Sequence, residues 1–277
     1  MTTDTSLLEN VIKLCQNAGD AIMTVYRRAE GFEVDTKADD SPLTEADLAA
    51  HHVLEQGLLP LLADTPVLSE ESEAPDFATR QSWSRYWIID PLDGTKEFVK
   101  RSGEFTVNVA LIENGVPTLG VVHVPALNIT YAGNHSTHVQ DQGAWKFEQG
   151  QQTPIKVRSL PSQAPVEVVA SRNHGADEVV ALLDRVGKAL GTVDTKSMGS
   201  SLKLCLVAEG KADLYPRLAP TCEWDTAAAQ AVVEAAGGQV LDNNFEPLRY
   251  NQKDSLLNPF FYVIGDTNYD WQATLSA

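Results

Sequence analysis

The stretch Trp87-Ile88-Ile89-Asp90-Pro91-Leu92-Asp93-Gly94-Thr95-Lys96-Glu97-Phe98 runs from three large apolar residues straight into two carboxylates three positions apart. Its bland reading is a strand ending in a turn: Pro91 fixes φ, Gly94 admits φ > 0, and aspartates are common turn formers. The same residues also read as a mount. A rigid strand ending in Asp90 and Asp93 delivers two carboxylates to one point, and the bend at Pro91 lets the Leu92 carbonyl face inward between them. Gly94 and Thr95 then open the next segment with backbone N–H groups and a hydroxyl that can hold a phosphate. The rest of the chain decides between turn and site.

Downstream, residues 106–113, 116–124 and 129–133 form an expected antiparallel meander, with Glu113-Asn114-Gly115 as a hairpin turn. Upstream, residues 7–28 carry apolar side chains at helical spacing. Residues 44–62 read as a second helix, with Thr44 as N-cap and Asp47 at its third position in a variant of the capping box. Past a polar link at about residues 149–162 the texture changes to alternating strands and helices: 166–170, 176–190, 200–209, 212–215, 225–236 and 260–265. The expected organisation is therefore an α+β half over residues 1–155, with an antiparallel sheet, and an α/β half over 156–277.

The 277 residues suffice for a sizeable core, and 43% hydrophobic with 21% charged residues is a globular composition. A net charge of −17 argues against a nucleic-acid partner, because the long-range field repels phosphates; an anionic substrate must be received by local cations. The first nineteen residues do not read as a signal peptide, and no run is long enough for a membrane span. Cys15, Cys205 and Cys222 are odd in number and widely spaced, which fits reduced cytosolic thiols better than disulfides or zinc.

Further carboxylates sit at the ends of expected elements: Glu70 after the apolar Pro66-Val67-Leu68, and Asp225 after Trp224 at a helix start. Singly, each reads as a solvated charge or a cap. Converged, they raise one another's pKa and call for a compensating cation. Oxygen donors without histidine or thiolate select Mg2+ or Mn2+ over zinc.

Glu70-Glu71, the stretch 87–98 followed by Gly103-Glu104-Phe105-Thr106-Val107, then Gly199-Ser200-Ser201-Leu202-Lys203 and Trp224-Asp225-Thr226-Ala227-Ala228, resemble the inositol monophosphatase superfamily of lithium-sensitive phosphatases. Within it the chain is most similar to the bacterial 3'(2'),5'-bisphosphate nucleotidases, and the resemblance runs in order from Ser41-Pro42-Leu43-Thr44 to Leu257-Asn258-Pro259. It implies a layered αβαβα sandwich, an α+β half joined to an α/β half with the site between them. It implies that Glu70, Asp90, Asp93, the Leu92 carbonyl and Asp225 hold two or three Mg2+ ions, and that Asp47 and Thr95, helped by Glu70, orient and deprotonate the attacking water. The implied reaction is metal-assisted hydrolysis of a phosphate monoester.

Inositol phosphatases of the superfamily carry a glutamate shortly before the last motif, for sugar hydroxyls; here Arg217 stands near that position, and a guanidinium suits a second phosphate. Lys203, Ser200 and His174 join Asp93, Gly94, Thr95 and Asp225 as expected substrate contacts. The expectation is a cytoplasmic Mg2+-dependent enzyme that converts adenosine 3',5'-bisphosphate, a by-product of sulfur assimilation, to AMP and phosphate. Its expected partners are a small-molecule nucleotide and no nucleic acid or integral membrane segment. Monomer or homodimer stays open, as does a peripheral position on the inner face of the cell membrane. The alternatives are an inositol or sugar monophosphatase and a catalytically inactive metal- or nucleotide-binding protein.

Overall fold

Ser6 accepts the Glu9 amide at 3.2 Å while the Glu9 carboxylate accepts the Ser6 amide at 3.1 Å, a capping box that starts α1 (Leu7–Tyr26). The computed structural model describes residues 6–28, 34–36, 42–136, 142–162, 164–170 and 176–276. A two-stranded antiparallel ribbon, β1 (Val34–Thr36) and β2 (Pro42–Thr44), precedes α2 (Glu45–Leu58). That helix opens on the expected Thr44/Asp47 box and ends at Leu58, short of residue 62.

The chain then builds a seven-stranded sheet. β3 (Val67–Ser69) is followed by the short α3 (Phe77–Arg80), β4 (Arg85–Asp93) and the five-residue α4 (Thr95–Val99). The meander follows as β5 (Thr106–Glu113), β6 (Val116–Val124) and β7 (Ile129–Asn134), then continues through β8 (Gly143–Glu148) and β9 (Gln151–Pro154). The strands lie in chain order; β3 and β4 are parallel and the remaining pairs antiparallel. Asn114 and Gly115 both have positive φ, 52° and 78°, as a two-residue hairpin turn requires. β8 and β9 were not expected, since Gln151–Pro154 is exposed throughout and gives no alternation signal.

β4 explains its continuous apolar run. Tyr86 and Ile88 enter one core cluster and Trp87 and Ile89 the other, so both faces of the strand are covered, each side chain stabilising the fold by roughly 1.5–3 kcal/mol. The strand does not stop at Asp90. It runs on to Asp93 through a bulge, with Asp90 opposite Asn108 and Asp93 opposite Thr106, so three steps on β4 meet two on β5. Pro91 is accommodated inside the strand because the bulge interrupts the ladder there.

The second half forms a five-stranded sheet in the order β11-β10-β12-β14-β13. Its chain order is β10 (Val166–Ala170), α5 (Ala176–Leu190), β11 (Val193–Ser197), α6 (Leu202–Ala208), β12 (Leu214–Arg217), α7 (Glu223–Ala235), β13 (Gln239–Asp242), β14 (Phe261–Ile264) and α8 (Trp271–Leu275). β10 pairs in parallel with β11 and β12, while β14 runs antiparallel to β12 and β13.

α1 and α2 cover the outer face of the large sheet, α6 and α7 fill the space between the sheets, and α5 and α8 cover the outer face of the small one. These are the five layers of an αβαβα sandwich. α7 seats closely because Gly120 and Gly133, paired across β6 and β7, offer it no side chain. A Cβ on Gly120 would stand 2.1 Å from the Ala228 carbonyl oxygen, and one on Gly133 2.5 Å from Val232 Cα. The helix answers with small buried residues, Ala227, Ala228, Ala229 and Ala231.

Candidate active site

Local chemistry brings the carboxylates to one place. Glu70 leaves β3 with its amide donating to the Ile89 carbonyl at 3.2 Å, which holds it beside the end of β4. The next turn is pinned by Ser69, whose hydroxyl accepts the Glu71 amide at 3.2 Å and lies 2.9 Å from His51 Nδ1 on α2. Asp90 is 1% exposed and accepts the Leu92 amide at 3.0 Å, closing a tight turn over Pro91. Gly94, at φ 91°, turns the chain into α4. Thr95 Oγ1 stands 3.3 Å from Asp47 Oδ1 and 3.3 Å from the Leu92 carbonyl oxygen.

Asp47 is fully buried, and its Oδ2 accepts the Thr44 amide at 2.8 Å and hydroxyl at 2.6 Å. Asp225 does not open its helix as expected. α7 begins at Glu223, which puts Asp225 at the third position, where it accepts the Cys222 amide at 2.8 Å. Asp93 Oδ2 accepts the Ser201 amide at 2.6 Å, an electrostatically strong contact that ties the two halves together.

Glu70, Asp90 and Asp225 each place an oxygen within 4.8 Å of the others'. Asp93 is not in that triad, but its charge acts on both Asp90 and Asp225. Burial pushes Asp90 well above the ordinary carboxylate range, with Glu70, Asp93 and Asp225 adding to the rise. Burial, then Asp93, lifts Asp225 to about 8 against the opposing Cys222 amide. Burial also carries Asp93 to about 6, although Lys203 and the Ser201 amide pull the other way. Without a cation, burial and mutual repulsion make the charged forms of these groups costly. Hard oxygen donors carrying excess negative charge fit a divalent cation of the Mg2+ type.

Beside the cluster lies a cleft lined by Ser200, Lys203, Tyr215, Arg217, Lys96 and Lys100, among others. Lys203 is 8% exposed and donates to the Ser200 carbonyl at 2.6 Å; burial lowers its pKa to about 8 despite Asp93. Arg217 is braced by the Ala219 and Pro220 carbonyls at 3.1 and 3.0 Å. Ser200 adopts φ 48°, unusual for a side-chain-bearing residue, and its buried Oγ has no hydrogen-bond partner among the described residues.

The structure thus gathers Asp47, Glu70, Asp90, Leu92, Asp93, Gly94, Thr95, Ser200, Lys203, Arg217 and Asp225 around one cluster and its cleft; His174 lies outside the described residues. Sequence reasoning missed the supports. The Thr106 and Ser201 hydroxyls lie 2.9 Å apart, and Ser201 donates to Asn108 Oδ1 at 2.8 Å. Glu104 accepts the Gly199 amide at 2.8 Å. Only Asn108 offered a signal, an amide inside an otherwise apolar strand.

A five-layer sandwich with an all-oxygen carboxylate cluster between its sheets is the architecture of a known phosphatase family. Residues 4–273 match the model of the inositol monophosphatase family, and the chain belongs to it. Metal dependence is a property of that family, and this chain carries a donor set for it. The chain is 51% identical over 257 residues to the 3'(2'),5'-bisphosphate nucleotidase CysQ of Salmonella typhimurium, covering 93% of this chain and 99% of that protein. It is 34% identical to CysQ of Haemophilus influenzae over 99% of this chain and 98% of that one. Among solved structures, CysQ from Bacteroides thetaiotaomicron aligns with a TM-score of 0.81 at 40% identity, covering 96% of this chain and 99% of that one. Among the described residues, no helix is long and apolar enough to cross a membrane.

Proposed function

We propose that this chain is a Mg2+-dependent 3'(2'),5'-bisphosphate nucleotidase that hydrolyses the 3'-phosphate of adenosine 3',5'-bisphosphate to give AMP and phosphate. The observation that carries the reading is a carboxylate cluster, buried at Asp90 and half-buried at Glu70 and Asp225, beside a cleft that holds Lys203 and Arg217, in a chain of net charge −17. One phosphate belongs at the cluster, and a second has cations waiting for it across the cleft. The similarity to the nucleotidases named above supports the same substrate class.

In this reading Glu70, Asp90, Asp93, Asp225 and the Leu92 carbonyl hold two or three Mg2+ ions. Bound there, such ions supply Lewis acidity at the phosphate oxygens and lower the pKa of water. Asp47 Oδ1 is the base: it takes the proton of the attacking water through Thr95 Oγ1, with Glu70 assisting. Water oxygen adds to phosphorus as the P–O3' bond breaks, and the departing ribose oxygen takes a proton from solvent water to become the 3'-hydroxyl of AMP. The N-terminus of α7 adds positive potential toward the phosphate. Ser200 Oγ, buried and without a hydrogen-bond partner among the described residues, and the Gly94 amide are further contacts, and Lys203 and Arg217 bind the 5'-phosphate. The role follows from the substrate: the enzyme clears a by-product of sulfur assimilation, and Li+ inhibits it by occupying an oxygen-lined position with half the charge of Mg2+.

A substrate panel with Mg2+ tests the reading. Adenosine 3',5'-bisphosphate is expected to give kcat/KM at least about tenfold above inositol 1-phosphate, from one charge-assisted contact. A preference for inositol 1-phosphate would shift the assignment to an inositol phosphatase, and no phosphate release from any monoester would leave a binding protein.

A further inference from the structure

Outside the cleft, a buried polar network joins the segment after Glu70 to the start of α7. Arg80 closes α3, in the excursion of residues 71–84 between Glu70 and β4, and is only 2% exposed. Its Nη1 donates to Asn251 Oδ1 at 2.8 Å, its Nη2 to the Asp254 carbonyl at 2.7 Å, and its Nε to the Pro75 carbonyl at 2.9 Å. Asn251 returns the contact, its Nδ2 donating to the Arg80 carbonyl at 2.6 Å. The Asn251 amide then donates to both oxygens of Glu223, each at 3.0 Å. Asn251 holds φ 56°, which lets its side chain face Arg80 while its amide faces Glu223.

Glu223 is 2% exposed and is the first residue of α7, two before Asp225. The same face of the helix start is gripped by Asn258, whose Nδ2 donates to the Cys222 carbonyl at 2.7 Å and lies 3.0 Å from Thr226 Oγ1. Arg80, Asn251 and Glu223, all buried, thus link the segment that follows Glu70 to the start of α7 that leads into Asp225, Asn251 using its side chain toward Arg80 and its backbone amide toward Glu223, across 171 positions of sequence between Arg80 and Asn251.

Stability alone does not account for this arrangement. A buried guanidinium and a buried carboxylate cost desolvation that well-packed apolar residues would avoid. What directional bonds supply, and apolar packing does not, is a fixed distance and orientation between two segments. Glu70 and Asp225 come from opposite halves of the chain, yet their oxygens must stay within 4.8 Å of each other and of Asp90. We propose that Arg80, Asn251 and Glu223 are positioning residues that set the separation of Glu70 from Asp225 and thereby the affinity of the carboxylate cluster for a divalent cation. The inference rests on the cluster being a metal site and is independent of which phosphate ester is the substrate.

The test is direct Mn2+ binding to the full chain, read as free Mn2+ by electron paramagnetic resonance, alongside urea denaturation. Arg80→Met keeps the aliphatic stem and removes the bonds; its Kd is expected to rise at least about tenfold, and that of Arg80→Lys by less. Leu275→Ala, a buried change in α8 at the far outer layer, is the control for destabilisation. It is expected to lower the unfolding midpoint while leaving the Kd within about twofold of wild type. Asn251→Gly retains the positive φ and the amide that faces Glu223, and covers the case in which Arg80→Met fails to fold; its Kd should rise about fivefold or more. A wild-type Kd in the folded Arg80→Met or Asn251→Gly chain, or an equal rise in Leu275→Ala, overturns the proposal. Absence of Mn2+ binding by the wild type overturns the metal site and this inference together, whereas failure of the nucleotide reading alone leaves the binding result untouched.

Discussion

Asp47 and Asp225 stand at the same place in two helices from opposite halves of the chain: each is the third residue, and each accepts the amide of its own N-cap, Thr44 or Cys222, at 2.8 Å through Oδ2. One oxygen of each carboxylate is committed to the helix, which fixes the side chain without help from the site. Asp47 uses its other oxygen for Thr95.

Asp225→Asn keeps an acceptor for the Cys222 amide and removes one charge from the cluster. Turnover is expected to fall by at least about two powers of ten, since the cations proposed to act on the developing charge lose a ligand. The melting temperature of the metal-free protein should hold or rise, because the cluster loses a carboxyl whose charged form burial and Asp93 both disfavour. Phosphate-release assays and metal-free thermal denaturation check both halves of the statement; near wild-type turnover would remove Asp225 from the site.

Thr95→Val preserves shape and deletes the hydroxyl that links Asp47 to the Leu92 carbonyl. A general-base relay contributes about 10²–10⁴, so kcat should drop by at least about a hundredfold with KM nearly unchanged. A rise in KM at constant kcat would mean that Thr95 only binds substrate.

Arg217→Ala separates a phosphate contact from general damage. A charge-assisted contact of roughly 1.5–3 kcal/mol predicts a loss of about one to two powers of ten in kcat/KM for adenosine 3',5'-bisphosphate. Adenosine 3'-monophosphate, which lacks the 5'-phosphate, should lose little. Equal losses on the two substrates would show that Arg217 does not receive that phosphate.

His123 ties stability to pH away from the site. It is 4% exposed, 2.9 Å from Thr130 Oγ1, and burial pushes its pKa down to about 4 against the opposing effect of the Ile129 backbone. Between about 4 and the unfolded value near 6.5, the unfolded chain binds a proton that the fold refuses, so stability falls as pH falls through that window. Going from pH 7.5 to pH 5, wild type should lose about 2 kcal/mol more than His123→Gln in urea denaturation. Parallel pH profiles for the two proteins would show that His123 is not the group responsible.

Much of the candidate site was legible because its carboxylates are placed by short-range chemistry. Thr44 and Asp47 form a capping box within four residues, and the Asp90-Pro91-Leu92 turn closes through one hydrogen bond over two positions. Helix 176–190 and strands 106–113 and 116–124 were set by their own periodicity and by the Asn114-Gly115 turn. β11 is largely exposed and β9 wholly so, and neither leaves an apolar pattern to read.

The sequence by itself determined the starts of α1, α2 and α5, the central meander and the identity of the acidic residues, because caps, turns and alternation act over a few bonds of chain. Only the tertiary structure decided that β4 continues through a bulge to Asp93, that Ser201 clasps Asp93 from 108 residues away, and that α7 rests on Gly120 and Gly133 so that Asp225 meets Glu70 and Asp90. These depend on which faces are buried against which, and burial is a property of the packed whole: no local pattern marks Arg80 as a guanidinium that folds inward to Asn251.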